Sequence, residues 1–111
     1  MTIELSAPFK RDFKALKKKY KSLVADVDEL IESLCGEPMQ GVSIGKGCYK
    51  IRLAITAKNK GKSGGARVIT YVRVVEDTVF LLSIYDKSEQ EDIAGDDLSQ
   101  RLATLDEVPQ V

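Results

Sequence analysis

The stretch KGCYKIRLAITAKNKGKSGGARVITYVR, Lys46–Arg73, reads as a strand, a Gly/Lys-rich loop and a second strand. Tyr49–Ala57 alternates, with Ile51, Leu53 and Ile55 on one side and Lys50, Arg52, Ala54 and Thr56 on the other. In Ala66–Val75, Arg67, Ile69, Tyr71 and Arg73 share one parity. Two antiparallel registers are open, with Ala57 opposite Ala66 or with Arg52 opposite Arg67. Both put Lys50, Arg52, Arg67 and Arg73 on one face. Like charges across a ladder destabilise it, so a fold tolerates this face most readily where it meets phosphate.

Charge elsewhere sharpens the contrast. Residues 38–75 carry eight cations and no acids, while residues 76–111 carry two cations and ten acids. The formal net charge is zero, so the last third is expected to shield or balance a polyanion-facing middle. At 111 residues the chain is expected to be one domain, 1–111. There is no histidine, and no acidic cluster suggests a metal. No cofactor is expected. Cys35 and Cys48 are not in a CxxC pair; a disulfide between them stays open, with buried reduced thiols preferred. The N-terminus has no apolar core of a signal peptide, and no run is long enough to span a bilayer. A cytoplasmic protein with no membrane partner is expected.

Upstream, Thr2–Leu5 is a short candidate strand. Ser6 and Pro8 open a helix whose apolar stripe is Phe9, Phe13, Leu16 and Tyr20. Its other face, Lys10 to Lys21, is either a solvated basic face or a nucleic-acid contact. Ser22 caps a second helix with stripe Leu23, Val27, Leu30, Ile31 and Leu34, closed by Gly36 and Pro38. The two form an antiparallel hairpin laid on a sheet. Val42–Ile44 is a possible short strand. Downstream, Glu76-Asp77 is a tight turn and Thr78–Tyr85 is apolar on both parities, a central strand. Phe80, Leu82 and Ile84 are expected in the hairpin's core. Ser88-x-x-Glu91 matches a capping box for a last helical segment, with Gly95 interrupting it and Leu98, Leu102 and Leu105 docking. The tail after Thr104 is expected to be loose. The fold class is α+β: a mostly antiparallel sheet of four or five strands, an N-terminal helical hairpin on one face and a short C-terminal helix.

The loop AKNKGKSGG is not a phosphate-binding NTPase loop. Thr56 stands where that motif needs glycine, and a strand follows rather than a helix. Its glycines instead allow close approach to a backbone. YKIRL (49–53), GKSGGARVI (61–69) and LLSIYDKSE (81–89) together resemble the RelE/ParE toxin superfamily, most closely its RelE/HigB-type branch. That resemblance implies a compact sheet with two helices on one side. It also implies the toxin of a bacterial type II toxin–antitoxin system, acting as an mRNA interferase on the ribosome. The partners implied are a cognate antitoxin, the ribosome and mRNA. It places the functional cations at Lys50, Arg52, Arg67 and Lys87. Ile93 occupies the place of the family's C-terminal tyrosine, leaving Tyr85 as the nearby candidate. Lys46, Lys58, Lys60, Lys62 and Arg73 are expected to contact RNA phosphates.

These residue types suit cleavage by the RNA 2′-OH, which needs a base, an acid and cations for the phosphorane. Arg67, planar and always charged, suits the transition state. A lysine crowded by cations gives up its proton more readily, so Lys50 or Lys87 suits acid–base work without histidine. Two other classes stay open: a ParE-like gyrase inhibitor, and a nucleic-acid-binding domain without chemistry.

Overall fold

The computed structural model describes residues 1–59 and 61–105; Lys60 and the tail beyond residue 105 lie outside them. In chain order the elements are β1 (Thr2–Leu5), α1 (Ala7–Lys19), α2 (Leu23–Gly36), β2 (Val42–Gly45), β3 (Cys48–Leu53), β4 (Ala66–Arg73), β5 (Thr78–Asp86) and α3 (Gly95–Leu105). One five-stranded sheet has the order β1-β5-β4-β3-β2. The β2-β3, β3-β4 and β4-β5 pairs are antiparallel, whereas β1 runs parallel to β5, so the sheet is mixed.

The hairpin forms as its periodicity dictates. Ser6 caps α1 by accepting from the Phe9 N–H at 3.2 Å. Phe9, Leu16, Leu23, Val27, Leu30 and Leu34 are buried against Ile51, Val68, Val72, Leu81 and Ile84, with Phe13 and Ile31 partly buried beside them. Among the described residues no helix is long and apolar enough to cross a membrane.

Several expectations are corrected. Phe80 and Leu82 do not join the hairpin's core. The β4-β5 register shifts between Ile69 and Thr70, from Ile69 opposite Ser83 to Thr70 opposite Leu81. The extra β5 residue reverses the strand's facing, a property of β-bulges. Leu82 and Phe80 therefore pack with Cys48, Ile69 and Leu98 in a second core under α3. Arg101 fixes that arrangement: its Nη1 donates to the Leu82 carbonyl at 2.8 Å and to Asp12 at 2.7 Å, and its Nε donates to Asp97.

Ser88 does not cap a helix. Its backbone N–H and its hydroxyl both donate to Asp86 Oδ1, at 3.0 and 2.8 Å, a turn that competes with helix formation. Gly95 is the first residue of α3 rather than a break within one. Ser22 does stand at the N-cap of α2, its carbonyl accepting from the Asp26 N–H, but its hydroxyl makes no cap bond; it donates to Asp26 and accepts from the Ala57 N–H. Buried Asp26 also accepts from the Thr56 N–H and hydroxyl, at 3.0 and 2.6 Å. That capture bends the chain into a 3₁₀ turn and ends β3 at Leu53, short of the alternation's limit at Ala57. Finally, both cysteines are free, and Cys35 is exposed rather than buried.

Candidate nucleic-acid interface

The observed β3-β4 register places Arg52 opposite Arg67 and Lys50 opposite Ile69. Lys50 and Arg52 therefore project from one side of β3, beside Arg67. Two glycines pin the ends of this strand. A Cβ on Gly41, which sits at φ +91°, would lie 2.3 Å from the Lys50 carbonyl oxygen. One on Gly65 would lie 2.2 Å from the Leu53 carbonyl oxygen. Neither position has room for a side chain, so Gly41 and, within the loop motif, Gly65 let backbones pack closely around the cations, whereas Gly61 faces open space at φ +66°.

Lys50, Arg52, Lys62, Arg67 and Lys87 line one groove of about 730 Å³, with Gln40, Gly41, Glu91 and Asp92 on its other walls. Arg52 and Lys62 are exposed, while Arg67 is only 4% exposed. Its guanidinium donates to the carbonyls of Lys62 at 3.0 Å, Ala66 at 3.1 Å and Ser63 at 3.4 Å. A guanidinium has five N–H donors, so two stay available after the loop is held. Arg67 thus couples the loop to the strand. Lys87 is fixed by its own backbone, whose N–H donates to the Gly65 carbonyl at 3.1 Å. Asp92 stands 3.5 Å from the Lys50 ammonium. The acid-rich last third reaches the groove here, with Glu91 on the wall beside Asp92.

The remaining sequence candidates lie elsewhere. Lys58 turns inward and pairs with fully buried Asp86 at 2.8 Å, its ammonium also lying 5.6 Å from the Tyr20 ring centre. Asp86 further accepts from the Tyr20 hydroxyl at 2.7 Å. Burial alone would raise this carboxyl. The bonds from Lys58, Tyr20 and Ser88 outweigh it and hold Asp86 well below the usual carboxylate range. Lys46 donates to Ser99 of α3 at 2.8 Å. Arg73 stacks on Tyr71 and Phe80 and pairs with Glu76 at 3.3 Å. Lys60 lies outside the described residues.

Tyr85 sits opposite Arg67 on the neighbouring strand, 7% exposed, with a hydroxyl that has no partner among the described residues. Burial first, then the charge of Asp92, push its ionisation up, against the pull of Arg67. The Cys48 thiol is pushed up to about 11 by burial, which makes it a poor nucleophile. Among the described residues no group of three His, Cys, Asp or Glu is disposed to hold a metal ion. Sequence reasoning missed Arg101 and Asp92. Neither belongs to a local motif; both act on residues distant in the chain.

The groove therefore gathers several cations on an open strand pair. Comparison with solved structures finds the same fold in E. coli toxin RelE. An arginine-to-alanine mutant in the free state superposes with a TM-score of 0.60 at 17% identity, covering 93% of this chain and 95% of that one. The toxin in the intact E. coli RelBE toxin–antitoxin complex gives 0.56 at 18% identity, covering 77% and 94%. A metal-bound toxin from Helicobacter pylori gives 0.52 at 20% identity, covering 81% and 98%. The family model described as RelE toxin of the RelE/RelB toxin–antitoxin system matches residues 5–108. With nearly its whole length matched, this chain belongs to the RelE toxin family, the toxin half of a toxin–antitoxin system.

Proposed function

We propose that this toxin inhibits translation by cleaving mRNA on the ribosome. The observation that carries the reading is the convergence of Lys50, Arg52, Arg67 and Lys87, with Lys62, on one groove. In the reaction, the RNA 2′-oxygen gives up its proton and bonds to the adjacent phosphorus. The bond from phosphorus to the 5′-oxygen breaks, and that oxygen takes a proton. The products are a 2′,3′-cyclic phosphate and a free 5′-hydroxyl. Arg67, held by three carbonyls, is preorganised to meet charge developing on the phosphorane, with Arg52 beside it. Lys50 and Lys87 line the same groove and are the candidate acid–base groups. The ribosome supplies the remaining geometry by presenting the message in a fixed pose. The cognate antitoxin acts by covering the same cations.

The test is single-turnover cleavage of a defined message on purified ribosomes, with ends mapped chemically. Wild-type chain should cut and leave a cyclic phosphate. Arg67→Ala should lower the rate at saturating ribosome by about 10²–10³-fold, the scale for loss of one preorganised donor. Arg67→Lys should not restore it, because an ammonium lacks the planar fork. Absence of cleavage at saturating wild-type chain, with inhibition of gyrase supercoiling instead, overturns the proposal.

A further inference from the structure

The last residue of β5 and the one after it serve opposite faces of the sheet, as strand alternation requires. Asp86, paired with Ala66, turns toward the helical hairpin, whereas Lys87 lines the groove. Asp86 is 1% exposed and crowded with donors. Its Oδ1 accepts from the Lys58 ammonium at 2.8 Å and from the Ser88 N–H and hydroxyl at 3.0 and 2.8 Å. Its Oδ2 accepts from the Tyr20 hydroxyl at 2.7 Å. An ionised carboxylate offers about four acceptor sites, so these donors use them up. None is left for Lys87, whose ammonium has no hydrogen-bond or ion-pair partner among the described residues.

Those bonds do more than satisfy a buried charge. The bond from the Ser88 N–H to the Asp86 side chain closes a turn with Lys87 at its centre. The Asp86 carbonyl accepts from the N–H groups of Glu89 and Gln90, at 3.0 and 3.1 Å, and the Lys87 N–H donates to Gly65. The backbone of Lys87 is thus held on both sides. The two remaining donors to Asp86 are fixed by the helical hairpin. Tyr20 ends α1: its N–H donates to the Leu16 carbonyl, and its own carbonyl accepts from Leu23 at the start of α2. Lys58 closes the 3₁₀ turn that Asp26 of α2 captures at Thr56. Neither Tyr20 nor Lys58 lines the groove. A buried polar network in which every member is satisfied rigidifies what it touches, and here it touches the turn that carries Lys87.

We infer that Tyr20 and Lys58 are positioning residues for Lys87: through the carboxylate of Asp86 they fix the turn that delivers its ammonium to the groove. This rests on the cleavage reading above and adds what holds one of its groups in place. The test compares wild type, Tyr20→Phe, Lys87→Ala and the double variant, all as full-length chain checked by circular dichroism and melting. Two quantities are read. One is single-turnover cleavage at saturating ribosome; the other is amide exchange by NMR at Lys87 and Ser88, against Val68 in the central strand β4. Tyr20→Phe removes one hydroxyl outside the groove. It should lower the saturated rate by about 10–100-fold, the scale for a small misplacement of a reacting group. In the Lys87→Ala background the same change should cost nothing further, because the group it positions is gone. The Lys87 and Ser88 amides should exchange at least about tenfold faster in Tyr20→Phe, with Val68 unmoved. An unchanged rate in Tyr20→Phe overturns the proposal. An equal loss in both backgrounds also overturns it, since the effect then lies elsewhere than Lys87. So does exchange that quickens at Val68 as much as at Lys87, which means general loosening. If wild type cleaves nothing, the cleavage reading falls and exchange alone decides: a rise confined to Lys87 and Ser88 upholds the clamp, and no rise overturns it. Should Tyr20→Phe fail to fold, Ser88→Ala removes another donor from the same carboxylate at an exposed position and is read in the same way at Lys87.

Discussion

The two faces of the sheet are built from the same strands and end in opposite states. On one face two helices cover Ile51, Val68, Val72 and Ile84. On the other, α3 covers Cys48, Ile69 and Leu82, but the end carrying Lys50 and Arg52 stays open, with buried Arg67 lining the groove there. Lys58 and Arg52 show what the difference does to a cation. Lys58 is drawn in beside Asp86 and ties the loop to the end of β5, whereas Arg52 remains exposed opposite another arginine. Complete cover turns charge into structure, and partial cover leaves charge available to a ligand.

The largest expected effect tests the covered face against the open one. Phe9→Ala, at a fully buried ring, should lower the free energy of unfolding by about 3–5 kcal/mol. Arg52→Ala should leave stability within about 0.5 kcal/mol, since an exposed cation facing a like charge contributes little. Denaturant melts of both variants would break the comparison if their losses were similar.

A smaller effect belongs to the charge that the covered face has taken in. Lys58→Ala should cost roughly 1.5–3 kcal/mol near neutral pH, the range for hydrogen bonds to charged groups. The sign with pH follows from Asp86, whose folded ionisation is depressed. Its contribution is present above the unfolded carboxylate range and is lost as acid is added below about pH 4. The gap between wild type and Lys58→Ala should therefore narrow in acid melts; a gap constant down to pH 2 would mean that Asp86 does not hold Lys58. The smallest effect is at Lys62 on the exposed loop. Lys62→Ala should leave the saturated cleavage rate intact and reduce the salt slope of ribosome binding by about one unit. If it instead governed the saturated rate, the reactive centre would lie in the loop rather than on the strands.

The parts of this arrangement set by local periodicity were legible in the sequence. The hairpin's stripes and the shared facing of Lys50, Arg52 and Arg67 needed only residue spacing, and the wider of the two registers is the one formed. The β5 bulge was hidden because Thr78–Tyr85 is apolar on both parities, so no pattern marks where the facing reverses. The capping-box reading failed because Asp86 outcompetes a helix for Ser88, and Asp86 itself is organised by Tyr20, 66 residues away. Lys58 and Lys62 are alike in sequence context; only the tertiary position of a buried carboxylate separates them.

The parallel pairing of β1 with β5 has a consequence for order in time. Thr2 donates its N–H to the Asp77 carbonyl and Ser6 donates to that of Leu81, so the first strand has its sheet partner only in the last. Closing so long a loop costs entropy that grows slowly with length, but no nearer strand can substitute. During synthesis α1 and α2 emerge well before the surface they bury against is complete, and the edge strand waits longest of all. Lys87, which follows that last strand, reaches its place beside Gly65 only when β5 does. The groove is therefore finished at the end of assembly, and a nascent toxin does not carry a complete one.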